Sequence, residues 1–341
     1  MSARDGADEP PHPRETLVLF GHAEAEQAFL DAYRAGRMPH AWLIGGPRGI
    51  GKATLAYRMA RFVLAHPDPS VPAVQRAASL TLPPDHPVVR RTAAQAHTDL
   101  LVVERTTGDG EKLRAQIAVD DVRRTIGFFG STAGEGGWRV CIVDAADELN
   151  AAGANALLKI LEEPPEKALL IVVSHAAGRL LPTIRSRCRR LALRPLGAED
   201  VARAAAAALG RDANEPDIAR AAAAADGSVA RAIELTGGKA LEVREKVTAL
   251  LAALPTVDPR ALHALGDALG RDESAFTAFV DTVRDWLSAR LAGRESPGRL
   301  VAVSEAWERL NRAAREVEVF HLERKPFVFN VFGWLAEASR G

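Results

Sequence analysis

Cysteine is nearly absent: Cys141 and Cys188 are the only two in 341 residues. Two thiols cannot build a four-thiolate zinc site or staple a small scaffold, and so low a count fits a reducing, cytosolic setting. Aromatic residues make up 5% of the chain. Single-strand binders combine stacking rings with basic grooves, so this scarcity speaks against a free-standing nucleic-acid-binding module. Net charge is missing too, because 44 Lys plus Arg balance 44 Asp plus Glu. That argues against a basic DNA-coating protein and leaves room for a local basic patch. No apolar run reaches the roughly 20 residues that cross a bilayer, so no membrane partner is expected. The opening stretch MSARDGADEPPHPRE is polar and acidic with three prolines. It does not read as a secretory signal, and residues 1–15 are expected to be a mobile leader.

What remains is ordinary soluble composition, 47% hydrophobic and 26% charged, at a length that suggests two or three domains. From residue 16 to 195 short apolar runs alternate with helical stretches, the pattern of an α/β domain with a parallel sheet. The predicted strands are 41–44, 100–103, 140–143, 169–173 and 191–193, apolar enough to be covered on both faces. Between them, Leu55, Met59, Phe62 and Val63 share one helical face. Asp120 is the expected N-cap of a helix presenting Val122, Ile126 and Phe129. Another helix is expected from near Asp147, presenting Leu157, Leu158 and Leu161, until Pro164-Pro165 stops it. Residues 66–98 are too long for a plain connection and read as an insert with its own structure. Its three histidines, His66, His86 and His97, lack thiolate company and read as surface or packing residues. After Pro195 alanine-rich helices take over. They suggest a small helical domain over 196–240 and a helical bundle over 241–341, the latter an expected assembly surface.

Residues 46–52 (Gly-Pro-Arg-Gly-Ile-Gly-Lys) follow the first predicted strand and open a helix. They match the phosphate loop G-x-x-x-x-G-K-[ST] up to its last position. Gly46, Gly49 and Gly51 would let backbone N–H groups curl around phosphates, and Lys52 would reach the outer ones. The last position should carry a hydroxyl for Mg²⁺ and is Ala53. Thr54 follows, rotated by about 100° along the helix, which leaves it a candidate nucleotide contact and a poor metal ligand. The third predicted strand ends in Asp144, the Walker B arrangement. Six arginines (Arg179, Arg185, Arg187, Arg189, Arg190 and Arg194) crowd 179–194 with no acidic residue among them. They read as a basic face, a phosphate-binding patch, or the source of an arginine that enters a neighbour's phosphate site.

Residues 137–150 (Gly-Trp-Arg-Val-Cys-Ile-Val-Asp-Ala-Ala-Asp-Glu-Leu-Asn), Leu161-Glu-Glu-Pro-Pro165 and Ser186-Arg187-Cys188 occur together and in order. In this the chain resembles bacterial clamp-loader subunits of the AAA+ superfamily, over about 17–240, and within them the delta-prime type of DNA polymerase III. The resemblance implies a RecA-like P-loop AAA+ domain, a small helical lid and a C-terminal helical collar. It implies that Arg187, with Ser186 beside it, is an arginine finger acting in trans on ATP in an adjoining motor subunit. Ser174 matches the sensor-1 region, and Arg231, in Gly227-Ser228-Val229-Ala230-Arg231, matches sensor-2. Motor members, gamma and tau, carry a Glu after the Walker B Asp, where this chain has Ala145, and a four-cysteine zinc module that is missing here. The chain is therefore expected to bind ATP or ADP at most, with Mg²⁺ doubtful and no zinc, and not to hydrolyse. The implied partners are gamma/tau motor subunits, the delta subunit, the sliding clamp and primed DNA, in the bacterial cytoplasm at the replisome. Two rival expectations are an active gamma/tau-type motor ATPase and a nucleic-acid-binding module.

Overall fold

Strand runs that read as buried on both sides form one parallel sheet. The computed structural model describes residues 10–105, 116–130, 133–134, 136–236, 238–293 and 297–340. The strands are β1 (Ala41–Gly45), β2 (Leu100–Val103), β3 (Arg139–Val143), β4 (Ala168–Ser174) and β5 (Arg189–Ala192), in the order β2-β3-β4-β1-β5. Every pairing is parallel. Successive side chains go to opposite layers. Trp42, Ile44, Val140, Ile142, Leu169 and Ile171 enter one core. Leu43, Cys141, Val143, Leu170 and Val172 enter the other.

Helices cover both faces, as a parallel sheet requires. The helices up to residue 209 are, in chain order, α1 (Ala23–Arg34), α2 (Lys52–Ala65), α3 (Pro72–Gln75), α4 (Pro87–Ala93), α5 (Val119–Gly130), α6 (Ala151–Glu162), α7 (Pro182–Arg187) and α8 (Ala198–Leu209). On α2, Leu55, Met59, Phe62 and Val63 are all buried as expected. Two helices start elsewhere than expected. α5 begins at Val119, so Asp120 lies in its first turn, paired with Arg123, instead of capping it. On that helix Val122 and Phe129 are buried but Ile126 is 40% exposed, outside the core face it was assigned to. α6 begins at Ala151, capped by Asn150, whose side chain accepts from the Gly153 N–H at 2.8 Å. A short 3₁₀ turn, Ala146–Glu148, occupies the stretch where that helix was expected to start.

The insert is tied to the α/β core. Val74, Leu80, Leu82 and Val89 join the α2-side core, and Arg34 donates to the carbonyls of Val74 and Ala77. His86 caps α4 through the Val88 N–H at 3.2 Å, and His97 accepts from the Asp99 N–H at 3.2 Å. The expected leader differs in its second part, since residues 1–9 lie outside the described residues. Buried Arg61 donates to the carbonyls of Arg14 and Thr16, and buried Arg58 to Leu17. Residues 14–17 are therefore fastened to α2.

The described chain packs as two compact units. The first runs to Glu215 and takes back residues 225–230. The second holds 216–224 and everything from Arg231 onward. Its helices are α9 (Pro216–Ala224), the end of α10 (Val229–Leu235), α11 (Lys239–Ala252), α12 (Pro259–Leu269), α13 (Glu273–Ala292), α14 (Pro297–Phe320) and α15 (Arg324–Arg340). Its core is apolar side chains from α11 to α15, where the Phe327 ring faces Phe276 and Phe279, and Phe279 faces Phe332, with ring centroids 5.5, 5.7 and 6.3 Å apart. No described helix is long and apolar enough to cross a membrane.

Candidate functional site

The sheet order sets the site. β1 lies between β4 and β5, and Gly45 is in register with Ser174 on one side and Ala192 on the other. The loop leaving β1 therefore emerges at the carboxyl ends of the strands, where open α/β sheets bind ligands. Gly46, Gly49 and Gly51 all take positive φ, and Gly51 forms the N-cap of α2. The Gly49 carbonyl accepts the Val229 N–H at 2.8 Å, so the loop is braced by residues 225–230 of the same unit. On its other side the Ile50 carbonyl is bound by the His22 ring at 2.6 Å.

Lys52 is buried at the first turn of α2 and donates to the Pro47 carbonyl of its own loop. Burial pushes its ammonium down to about 8, with Asp144 and Asp147 pulling the other way. Asp144 directly follows β3, and burial raises its carboxyl against the attraction of Lys52. Asp147 accepts the His175 N–H at 2.7 Å. Burial would raise it, but the bonds from His175 and Ser174 outweigh that and hold it below the usual carboxylate range. Ser174, fully buried at the end of β4, accepts the Ala176 N–H and is part of this same cluster. At the rim Glu148 receives Arg48 of the loop at 2.8 Å and Arg105 at 2.6 Å. One cluster thus unites Lys52, Asp144 and Ser174 with three residues not singled out as site members, Asp147, His175 and Glu148. The signal for them was adjacency to motif residues, and only the sheet register makes it legible.

The fit to a nucleotide divides in two. Three loop glycines, the start of α2 and Lys52 suit phosphate oxygens. Mg²⁺ fits poorly: the Ala53 side chain offers no oxygen, and Thr54 lies one residue along the helix. Among the described residues no group of three or more His, Cys, Asp or Glu could hold a metal ion. Ala145 follows Asp144 in the left-handed conformation, φ 62°, and places only a methyl group next to that carboxylate.

His175 supplies a test of this geometry. Burial first, then Lys52, lowers its imidazole to about 4. Below pH 6.5 the unfolded chain takes up a proton that the folded chain refuses, so stability falls as pH drops toward 4 and flattens beyond. Urea unfolding at pH 7 and pH 5 is expected to differ by up to about 1 kcal/mol more in wild type than in His175→Gln, because the ring is half-buried and solvent screens part of the shift. Equal losses in the two proteins would contradict the placement of this half-buried ring beside Lys52.

The remaining predicted residues lie elsewhere. Arg187 closes α7 half-exposed, with Ser186 beside it donating to the Thr183 carbonyl at 3.1 Å. Arg231 belongs to the second unit, where it pairs with Asp285 at 2.6 Å.

Residues 21–197 match the family described as "DNA polymerase III, delta subunit". The delta-prime subunit of DNA polymerase III from Pseudomonas aeruginosa is 40% identical over 149 residues, 44% of this chain and 41% of that protein. The chain thus spans less than half the length of this relative. Its Escherichia coli counterpart is 31% identical over 293 residues, covering 80% of this chain and 82% of that one. The gamma/tau subunit of Mycobacterium tuberculosis H37Rv is 32% identical over 187 residues, 54% of this chain and 29% of that protein.

Proposed function

We infer the role of this chain from its family: it belongs to the clamp-loader subunits of DNA polymerase III, of delta-prime and gamma/tau type, and acts as the delta-prime-like, non-hydrolysing member. One observation carries the choice within the family. A single site has lost the hydroxyl that would hold Mg²⁺, at Ala53, and the side chain that would orient water, at Ala145. Arg187, exposed on α7, fits donation in trans to the ATP of an adjoining gamma/tau-type motor. With those motors and a delta subunit the chain would help place the sliding clamp on primed DNA in the bacterial cytoplasm. Residues 16–195 serve as the RecA-like AAA+ domain, 196–240 as lid and 241–341 as collar. Gly46, Gly49, Gly51, Lys52 and Thr54 would hold the phosphates of ATP or ADP without a metal-dependent step.

The test is ATP turnover by the loader reconstituted from full chains, with clamp and primed DNA, set beside the isolated chain. The isolated chain is expected to be silent and the loader that contains it active. Robust turnover by the isolated chain would restore the motor reading. Tight, strongly salt-dependent DNA binding by the isolated chain would favour the nucleic-acid module instead.

A further inference from the structure

Among the six arginines of 179–194, only Arg187 has a carboxylate partner in the described structure. Its Nη2 lies 3.0 Å from Glu162 Oε1, and its Nη1 donates to the Thr183 carbonyl at 3.1 Å. Glu162 is the first Glu of Leu161-Glu162-Glu163-Pro164-Pro165 and the last residue of α6. Two motifs that are 25 residues apart thus meet side chain to side chain.

Local physics does not call for a Glu there. The carboxyl end of a helix carries partial negative charge, which disfavours an acidic side chain and favours a basic one. The two prolines that follow end the helix and leave Glu162 in its last turn. The backbones of both partners are rigidly seated, since Ile160 and Leu161 of α6 share one core with Ile184 of α7 and with Cys188. The side chains themselves are 37% (Arg187) and 51% (Glu162) exposed, so the pair is screened and weak, worth at most about 1 kcal/mol. A weak pair suits a guanidinium that must be aimed and then released to a phosphate. It limits the rotamer freedom a lone Arg would otherwise give up on engagement, yet costs little to break.

We propose that Glu162 is a positioning residue that aims Arg187 at the neighbouring subunit's nucleotide. The proposal rests on the trans role of Arg187 given above. The experiment is ATPase of the reconstituted loader with clamp and primed DNA, every motor site but the one adjoining Arg187 inactivated, for wild type, Glu162→Gln, Glu162→Asp, Arg187→Ala and the double variant Glu162→Gln/Arg187→Ala. Size-exclusion chromatography verifies assembly of each. Glu162→Gln is expected to lower kcat about three- to tenfold with KM for ATP within about twofold, because the finger acts on the transferring phosphate. Glu162→Asp is expected to recover part of that loss, and Glu162→Gln to add nothing once Arg187 is gone. An unchanged or increased kcat, an undiminished effect in the Arg187→Ala background, or a loader that fails to assemble would overturn the positioning role. An unchanged ATPase in Arg187→Ala itself would instead sink the trans role on which the proposal stands.

Discussion

Arg187→Ala is expected to slow hydrolysis at the adjoining motor site by about 10³-fold or more, the usual worth of an arginine finger. Single-turnover measurement at that site is the appropriate readout, because other motor sites in the loader can dilute a steady-state rate. The fold of this chain should scarcely notice the change. Arg187 is half-exposed, and what it loses is one screened ion pair and one bond to the Thr183 carbonyl. Together these cost about 1 kcal/mol, so the melting temperature should move by roughly 2–4 °C at most. Arg187→Lys keeps the charge and loses the planar fork, so it should restore only a small part of the rate. A loader with Arg187→Ala that turns over like wild type would refute the trans role.

Gly227→Ala should unfold much of what Arg187→Ala leaves intact. Gly227 takes φ +80°, and a Cβ there would stand 2.5 Å from Pro195 Cβ, 2.7 Å from the Leu196 nitrogen and 2.8 Å from the Leu196 oxygen. Two of the three obstacles are backbone and cannot swing aside. The left-handed conformation costs a non-glycine residue about 1–2 kcal/mol, and overpacking adds about 1–3 kcal/mol. A loss of about 2–5 kcal/mol in urea unfolding is therefore expected. Gly178→Ala is the control, with open space around its Cβ and an ordinary φ; it should stay within about 0.5 kcal/mol of wild type. Equal stabilities for the two variants would mean that residues 225–230 do not pack as described.

Much of the first unit was legible in the sequence because its strands are uninterrupted apolar runs. The predicted 100–103 is β2 as found, and 41–44, 140–143 and 169–173 fall one residue short at one or both ends. The edge strand was placed two residues late, at 191–193, because Arg189 and Arg190 open β5 and no hydrophobic pattern marks them. Arg58 and Arg61 were invisible for a similar reason. Periodicity scores them as polar, yet both are buried, with their donors directed to Glu26 and to the carbonyls of Arg14, Thr16 and Leu17. In the site, the phosphate loop and Asp144 could be read from motif spacing. His175 and Glu148 could not, because what recruits them is the register of β4 against β1 and the turn after β3.

The return of residues 225–230 to the phosphate loop has a topological consequence. The polypeptide passes between its two units three times, after 215, after 224 and after 230. No single cleavage can therefore yield two whole pieces. A fragment ending at 215 would lose the Val229 N–H that braces Gly49. A fragment ending at 230 would carry α9 with Ala221 stripped of Leu235, Ala240 and Leu241, the residues that bury it. The two units are separate as packed bodies and inseparable as pieces of chain, so a protease that nicks one of these crossings leaves two fragments, at least one of which still carries part of the other's fold.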